Sequence, residues 1–397
     1  MFKEYSPMQY IAIDVANQQG LDKLTYEDRL DWVKSNLDRL EEHTEQAEKP
    51  YLYAKSVRAL RKALKGEAIG HAVSLDAVCS GMQVMSAVMA CEKGCSITGL
   101  VHENVRSDAY TSVTEAMNET MPIEVSRKDA KNAVMTSLYG STKVPRDIFG
   151  EELLPLFYST MERVAPGAMK LLALLRAAWN PEADVNTWSL PDGHMAVVPV
   201  TEVVEKRICI AELKYTPVIE VEMVMPKEKG ISLIANVVHS IDAYVLRTLV
   251  RRCNYIPRDV NRMYALLKTT VKSTDYESEY VRIYRETNMV DMTMLNASET
   301  EVAGFPTAMR LKLLRMLNIC KEHKPFEIIT VHDDFASLPN NTTQMRRVYA
   351  DIMGDLVEST LIDDILDQLY GDRDTVEKMN NPSLLAAKVR QSNYGIS

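Results

Sequence analysis

The chain has 397 residues, 46% hydrophobic and 25% charged, with a formal net charge of −9. That composition suits a globular protein with a sizeable core, as one multi-lobed domain or two to three subdomains. It excludes a protein that coats nucleic acid through bulk positive charge, but not a basic channel on an acidic body. The six cysteines, Cys79, Cys91, Cys95, Cys209, Cys253 and Cys320, have no zinc-ligand spacing and read as reduced thiols of a cytosolic protein. No signal peptide opens the chain, and no apolar run reads as long enough to cross a bilayer.

The N-terminal part reads as helix. Thr25 with Asp28 resembles a capping box, and Leu30, Val33, Leu37 and Leu40 recur at helical spacing up to a polar stretch before Pro50. A second helix with a basic face runs from about Lys55 to Lys65 and breaks at Gly66. His71-Ala-Val-Ser-Leu-Asp76 is a strand candidate entering a helix that Ser80 would cap and Gln83 would box, with Met82 to Cys91 buried. A later helix starts at Ser126, with Asp129 three residues on, and carries Arg127, Lys131, Met135 and Tyr139 at steps of four. Such steps drift by about 40° each, so these side chains spiral along one broad face.

From Asn186 to Gly230 the signal is β, with a turn at Pro191-Asp192-Gly193, β-branched runs at Val197 to Val200 and Val218 to Val224, and closure at Pro226 to Gly230. Helical patterning dominates from Ser232 to Lys324. Glu327-Ile-Ile-Thr-Val-His332 is the last strand candidate and turns at Asp333; an acidic helical region follows through Leu369, then a polar tail after Gly371. There is no internal repeat or low-complexity linker. Basic clusters at Arg58, Arg61, Lys62 and Lys65, at Arg247, Arg251 and Arg252, and at Arg310, Lys312 and Arg315 each read more readily as solvated helix faces than as phosphate tracks.

Asp76 and Asp333 each end an apolar strand-like run, where a carboxylate is held rigidly and faces a cleft. Phosphoryl transfer from a triphosphate commonly uses two metal ions about 3.5–4 Å apart, bridged by aspartates. Two cations at a helix start oppose its dipole, so Arg127 and Lys131 make better sense with a bound anion such as a triphosphate. Tyr139, farther along that face, is placed to reach a sugar or base.

These segments, Asp76-Ala-Val-Cys-Ser-Gly-Met-Gln83, Arg127 with Lys131 and Tyr139-Gly140, and His332-Asp333-Asp334, resemble motifs A, B and C of the single-subunit RNA polymerases of bacteriophages and mitochondria. The resemblance is collinear over most of the chain. It includes Tyr10 through Asn36, Asp108-Ala-Tyr110 and Asn236-Val-Val-His-Ser-Ile-Asp242. It implies an α+β, mainly helical fold: a right-hand polymerase palm and fingers lacking the N-terminal domain and thumb. Palm would span residues 1–92 and 240–397, and fingers 93–239, with the β region 186–230 at the specificity-hairpin position and an insertion at about 250–307.

By the same resemblance, Asp76 and Asp333 with the main-chain carbonyl of Ala77 would hold two Mg2+ ions. Arg127 and Lys131 would hold the NTP, Lys131 also donating a proton to pyrophosphate. Tyr139 would sense the ribose, His239 its 2′ side, His332 the primer end, Lys23 the triphosphate, and Tyr110 the fingers side of the pocket. The DNA-polymerising relatives place a glutamate five residues after the first aspartate; here Gly81 leaves room for a 2′-hydroxyl, and Met135 replaces their aromatic.

The resemblance implies DNA-directed RNA synthesis by two-metal nucleotidyl transfer in the cytoplasm of an infected bacterial host. A non-catalytic nucleic-acid-binding subunit, or an A-family-like DNA polymerase or primase, is the alternative. The family's Asp-x-x-Gly-Arg segment has no match upstream of Asp76. A second polypeptide supplying it with the N-terminal domain and thumb is therefore expected, as in the larger subunit of the heterodimeric RNA polymerases of schitoviruses (enquatrovirus-type phages). A single-stranded-DNA-binding recruiter would complete the partners, alongside DNA template and RNA product. Asp334 stands where the family usually has serine, adding a carboxylate like that of an Asp-Glu pair.

Overall fold

The computed structural model describes residues 2–101, 104–180, 185–199, 201–224, 231–273, 277–371 and 375–397. α1 (Pro7–Ala16) opens on a capping box in which Ser6 and Gln9 satisfy each other's backbone N–H. A π turn (Asn17–Leu21) leads to α2 (Tyr26–Ser35), capped by Thr25, and a 3-10 stretch (Leu37–Gln46) leads to α3 (Pro50–Leu64). The last begins a turn earlier than the basic pattern suggests, because Pro50 suits the first helical position. Ile11, Val15, Val33, Leu40, Tyr53 and Val57 give this unit its own apolar cluster.

β1 (Val73–Asp76) runs into α4 (Ser80–Val88). The capping box expected at Ser80 and Gln83 does not form: the cap is Cys79, in the left-handed region at φ 55°, with no side-chain bond. Gln83 instead faces the core, where its amide donates to the carbonyls of Thr98 and Gly395 at 2.8 Å and accepts from the Tyr349 hydroxyl at 2.7 Å. Next come α5 (Glu92–Ile97), α6 (Ala109–Asn118), α7 (Arg127–Leu138), α8 (Lys143–Val164) and α9 (Pro166–Ala177).

The β region is two antiparallel pairs, β2 (Val185–Ser189) with β3 (Met195–Pro199) and β4 (Thr201–Arg207) with β5 (Val218–Val224). Val200 and the expected closure at Pro226 to Gly230 lie outside the described residues. The helical stretch comprises α10 (Ile231–Cys253), α11 (Pro257–Thr269), α12 (Glu279–Thr287), α13 (Glu299–Ala303) and α14 (Thr307–Lys321). Val260, Met263, Phe305, Leu313 and Leu317 form a second separate cluster there. Within α10, Leu233–Cys253 is long and apolar enough to cross a membrane, contrary to the sequence expectation. In the fold its Leu233, Val237, Ile241, Tyr244 and Leu249 are buried in the main core.

β6 (Ile329–Val331) and β7 (Asp334–Ser337) form a tight hairpin, and β7 then pairs with β1, giving an antiparallel sheet of order β1-β7-β6. α15 (Thr342–Glu358), α16 (Leu361–Tyr370) and α17 (Pro382–Val389) follow. The polar tail is thus partly helical, and its end is buried: Ser397 N–H donates to the Asp76 carbonyl, and the Tyr26 hydroxyl to the Ile396 carbonyl, both at 3.0 Å. Stacking of Tyr394 on Tyr26, with ring centroids 5.0 Å apart, adds apolar contact that composition alone does not reveal. The result is a mostly helical α+β fold with one expected aspartate, Asp76, at the end of β1 and the other, Asp333, in the β6–β7 turn of the same sheet.

Candidate active site

Asp76 ends β1 and Asp333 occupies the β6–β7 turn. The two meet because the Ala77 N–H donates to the Asp333 carbonyl at 3.1 Å, one step beyond the Asp76–Asp334 register pair. His332 turns the hairpin in the left-handed region at φ 56°. Asp334 shares the open sheet face with Asp76 but does not line the cavity; it accepts a short hydrogen bond from the Ser74 hydroxyl.

Facing this corner is α7. Ser126 caps it by accepting from the Asp129 N–H at 3.1 Å, and Tyr139 closes it just before Gly140, whose φ of 89° ends the helix. Between sheet corner and helix lies a cavity of about 480 Å³. Its lining includes Lys23, Asp76, Ala77, Gly81, Tyr110, Arg127, Lys131, Tyr139, His239, His332 and Asp333, so the residues expected to hold metal or nucleotide border one space, and Asp334 stands outside it.

Arg127 is held in place by Asp108, whose carboxylate accepts from Nε at 3.0 Å and from a terminal nitrogen at 2.6 Å. Asp108 also accepts from the Tyr110 N–H at 3.1 Å and so caps α6. Against the effect of burial, the bonds from Arg127 and Thr111 hold the Asp108 carboxyl below its ordinary range. The Arg127 and Lys131 cations stand 5.7 and 5.4 Å from the centroid of the Tyr110 ring, one aromatic surface supporting both. The Tyr139 and His239 rings are 4.7 Å apart. Lys23 extends from a loop fixed by the buried Arg29, which donates to the carbonyls of Leu24 and Asp22 at 3.0 and 2.7 Å.

Three lining residues, Arg106, Asp108 and Asp242, carry charge that the sequence reading left unassigned. Asp108 opened and Asp242 closed quoted motif segments, a cue that they belong here; Arg106 had no comparable signal. Burial, then Asp333 and Asp334, push Asp76 up to about 6, with Lys23 and Arg106 opposing. Its side chain is open to solvent by area, but it sits in a concave wall where surrounding protein replaces much of the water. Burial and Asp333 likewise push Asp242 up to about 6, with His332 opposing. Burial, then Cys79, Asp242 and Asp333, raise the Tyr139 phenol to about 12. His239 lies below its ordinary value because of burial and His332.

The cavity thus gathers carboxylates whose mutual repulsion is only partly offset, opposite a cationic helix face. Such a donor set fits hard divalent cations bound through oxygen. Among the described residues no three His, Cys, Asp or Glu side chains form a closed ligand cluster. Gly81 has a steric reason as well: a Cβ there would lie 2.9 Å from the Tyr139 hydroxyl.

Residues 4–148 match the family of DNA-dependent RNA polymerases, a stretch that carries Asp76 and α7 but not Asp333. The chain is 24% identical over 310 residues to the DNA-directed RNA polymerase of Pseudomonas phage phiKMV, covering 62% of this chain and 38% of that protein. It is 28% identical over 174 residues to the mitochondrial DNA-directed RNA polymerase 1 of Arabidopsis thaliana, and 29% identical over 164 residues to a probable DNA-directed RNA polymerase of Neurospora crassa. Each of those two matches covers 34% of this chain and 18% of the relative. The chain therefore spans less than half the length of the curated relatives it matches.

Proposed function

We propose that this chain is the palm-and-fingers polypeptide of a DNA-directed RNA polymerase. It would transfer nucleoside monophosphates from NTPs to an RNA 3′-hydroxyl on a DNA template. One observation carries this reading: Asp76 and Asp333, distant in sequence, meet at one sheet corner opposite Arg127, Lys131 and Tyr139 across a single cavity.

Asp76 and Asp333, with the Ala77 carbonyl, would hold two magnesium ions, which when bound neutralise the triphosphate and activate the attacking hydroxyl. Arg127, oriented by Asp108, keeps its other terminal nitrogen for phosphate oxygens, and Lys131 lies one turn along the same face to bind them and protonate the departing pyrophosphate. Lys23, ion-paired with Asp22 at 2.5 Å, borders the same cavity and would approach the triphosphate. Tyr139, reaching over Gly81 with His239 at its ring, reads the sugar: the absent side chain at position 81 leaves space for a 2′-hydroxyl beside the phenol. Tyr110 backs the two cations, and His332 helps to position the primer end.

In this reading a second polypeptide would supply the N-terminal domain, the thumb and the Asp-x-x-Gly-Arg segment, and a single-stranded-DNA-binding recruiter would deliver template. The phage relative supports placing the protein in the cytoplasm of an infected bacterial cell. The test is extension of a primed RNA–DNA scaffold by this chain with its co-purifying polypeptide, wild type against Asp333→Asn. Extension should fall to background in the variant; equal extension by both removes the assignment.

A further inference from the structure

Of the three basic clusters visible in the sequence, two are engaged inside the fold. Arg247 and Arg251 bind Asp192 at 2.6 and 2.9 Å, and Arg252 binds Asp351 at 2.8 Å. Arg310 donates to the Thr270 carbonyl at 2.9 Å, Lys312 to the Asn288 carbonyl at 2.8 Å, and Arg315 pairs with Asp355. On α3, Arg61 is gripped by both carboxylate oxygens of Glu41 at 2.8 and 2.7 Å.

The other α3 cations differ. Lys55, Arg58, Lys62 and Lys65 have no carboxylate partner among the described residues, in a chain with nine more acidic than basic charges. The helix dipole favours Lys62 and Lys65 near the C-terminal end, but not Lys55 and Arg58 in mid-helix. Like charges one turn apart repel. Lys55, Arg58 and Lys62 follow Tyr51 at steps of four, three and four, so all four share a face about 17 Å long. Tyr51 is 93% exposed.

The three cations line a groove whose other wall is residues 68–71. His71 in that wall is 8% exposed; its Nε2 is 2.6 Å from the Asp14 carboxylate, while its buried Nδ1 has no partner. The wall continues directly into β1 and reaches Asp76 about 17 Å farther on.

We infer that this groove binds single-stranded nucleic acid, with phosphates on Lys55, Arg58 and Lys62 and a base stacked on Tyr51. An exposed aromatic heading a row of unpaired cations is the pairing that unpaired bases on a charged backbone require, because duplex hides its base faces. Continuity with β1 leads the bound strand toward the catalytic corner; that direction, but not the binding itself, rests on the polymerase reading.

The test measures binding of a short fluorescent oligodeoxythymidylate to the full chain carrying Asp333→Asn, between about 50 and 200 mM salt. The further change Lys55→Ala/Arg58→Ala/Lys62→Ala should make the slope of log affinity against log salt shallower by about 2, and weaken binding by at least about tenfold at the low-salt end. Tyr51→Ala should weaken single-strand binding with an unchanged slope and leave duplex binding unaltered. Arg61→Ala, matched by unfolding midpoint, should leave the slope unchanged. An unaltered slope and affinity in the triple variant overturns the proposal. Primer extension by the wild type with its co-purifying polypeptide reports the polymerase reading separately. Extension without the slope change sinks the groove alone, and the slope change without extension sinks the polymerase assignment alone.

Discussion

Two regions of this protein gather several ionised side chains, and they balance them in opposite ways. Around Arg252, at the far end of α10, Asp351 and Asp355 face Arg252, Arg315 and Arg390, with Glu358 bound to Arg390 at 2.8 Å. Against burial, those three guanidiniums hold Asp355 below its ordinary carboxylate range, while burial and Asp355 itself leave its neighbour Asp351 raised despite the same cations. In the cavity, Asp76 and Asp242 are instead pushed up to about 6, because burial and neighbouring carboxylates outweigh the nearby cations. Matched charge holds structure together; unmatched charge, kept in place at a cost, points to an ion or ligand that arrives from outside.

The contrast can be broken most forcefully at Arg252. Arg252→Ala leaves buried carboxylates uncompensated and should destabilise the fold by about 3–5 kcal/mol in urea unfolding. Asp76→Asn should do the reverse, leaving stability equal or higher while abolishing extension. Should Asp76→Asn unfold the protein and Arg252→Ala leave it intact, the distinction fails.

A smaller effect is expected where Gly81 meets Tyr139, the proposed sugar side of the cavity. Gly81→Ala puts a Cβ against the Tyr139 hydroxyl and should raise KM for NTPs by roughly tenfold, about 1.4 kcal/mol. Combining it with Tyr139→Phe removes the closest atom and should recover part of that loss. Independent, additive losses would show that the two residues do not share the ribose position.

The mildest test is pH. Asp76 and Asp242 have folded values near 6, above the ordinary carboxylate value of 3.8, so the native state holds more protons than the unfolded chain between about 4 and 6. Their contribution to stability is present below about 4 and is lost as pH rises through 6. Metal-free protein should therefore lose stability across that window, and Asp76→Asn should flatten the trend. Added magnesium should offset the loss above pH 6; an identical slope in the variant would contradict the assignment.

What the sequence revealed was local. A capped helix with cations at steps of four needs only its own residues to be legible, and Asp76 stood out because an apolar strand-like run ended on it. What stayed hidden depended on distant neighbours. Nothing near Gln83 in sequence announces that Thr98, Gly395 and Tyr349 satisfy it. β7 was missed because Asp334-Phe-Ala-Ser is too short for an alternation, and it becomes a strand only by lying between β1 and β6. Arg106 enters the cavity through chain folding alone, and the polar tail is held by partners near residue 26.

The corners beside the two aspartates have a practical consequence. Cys79 and His332 adopt left-handed backbone that glycine would reach without penalty, yet both keep side chains that line the cavity. Each therefore answers to two demands at once, shape and chemistry, and very few residue types meet both. In a saturation library these positions should be among the least forgiving outside the two aspartates: glycine would loosen the aim of the acids, and most other replacements would spoil the bend.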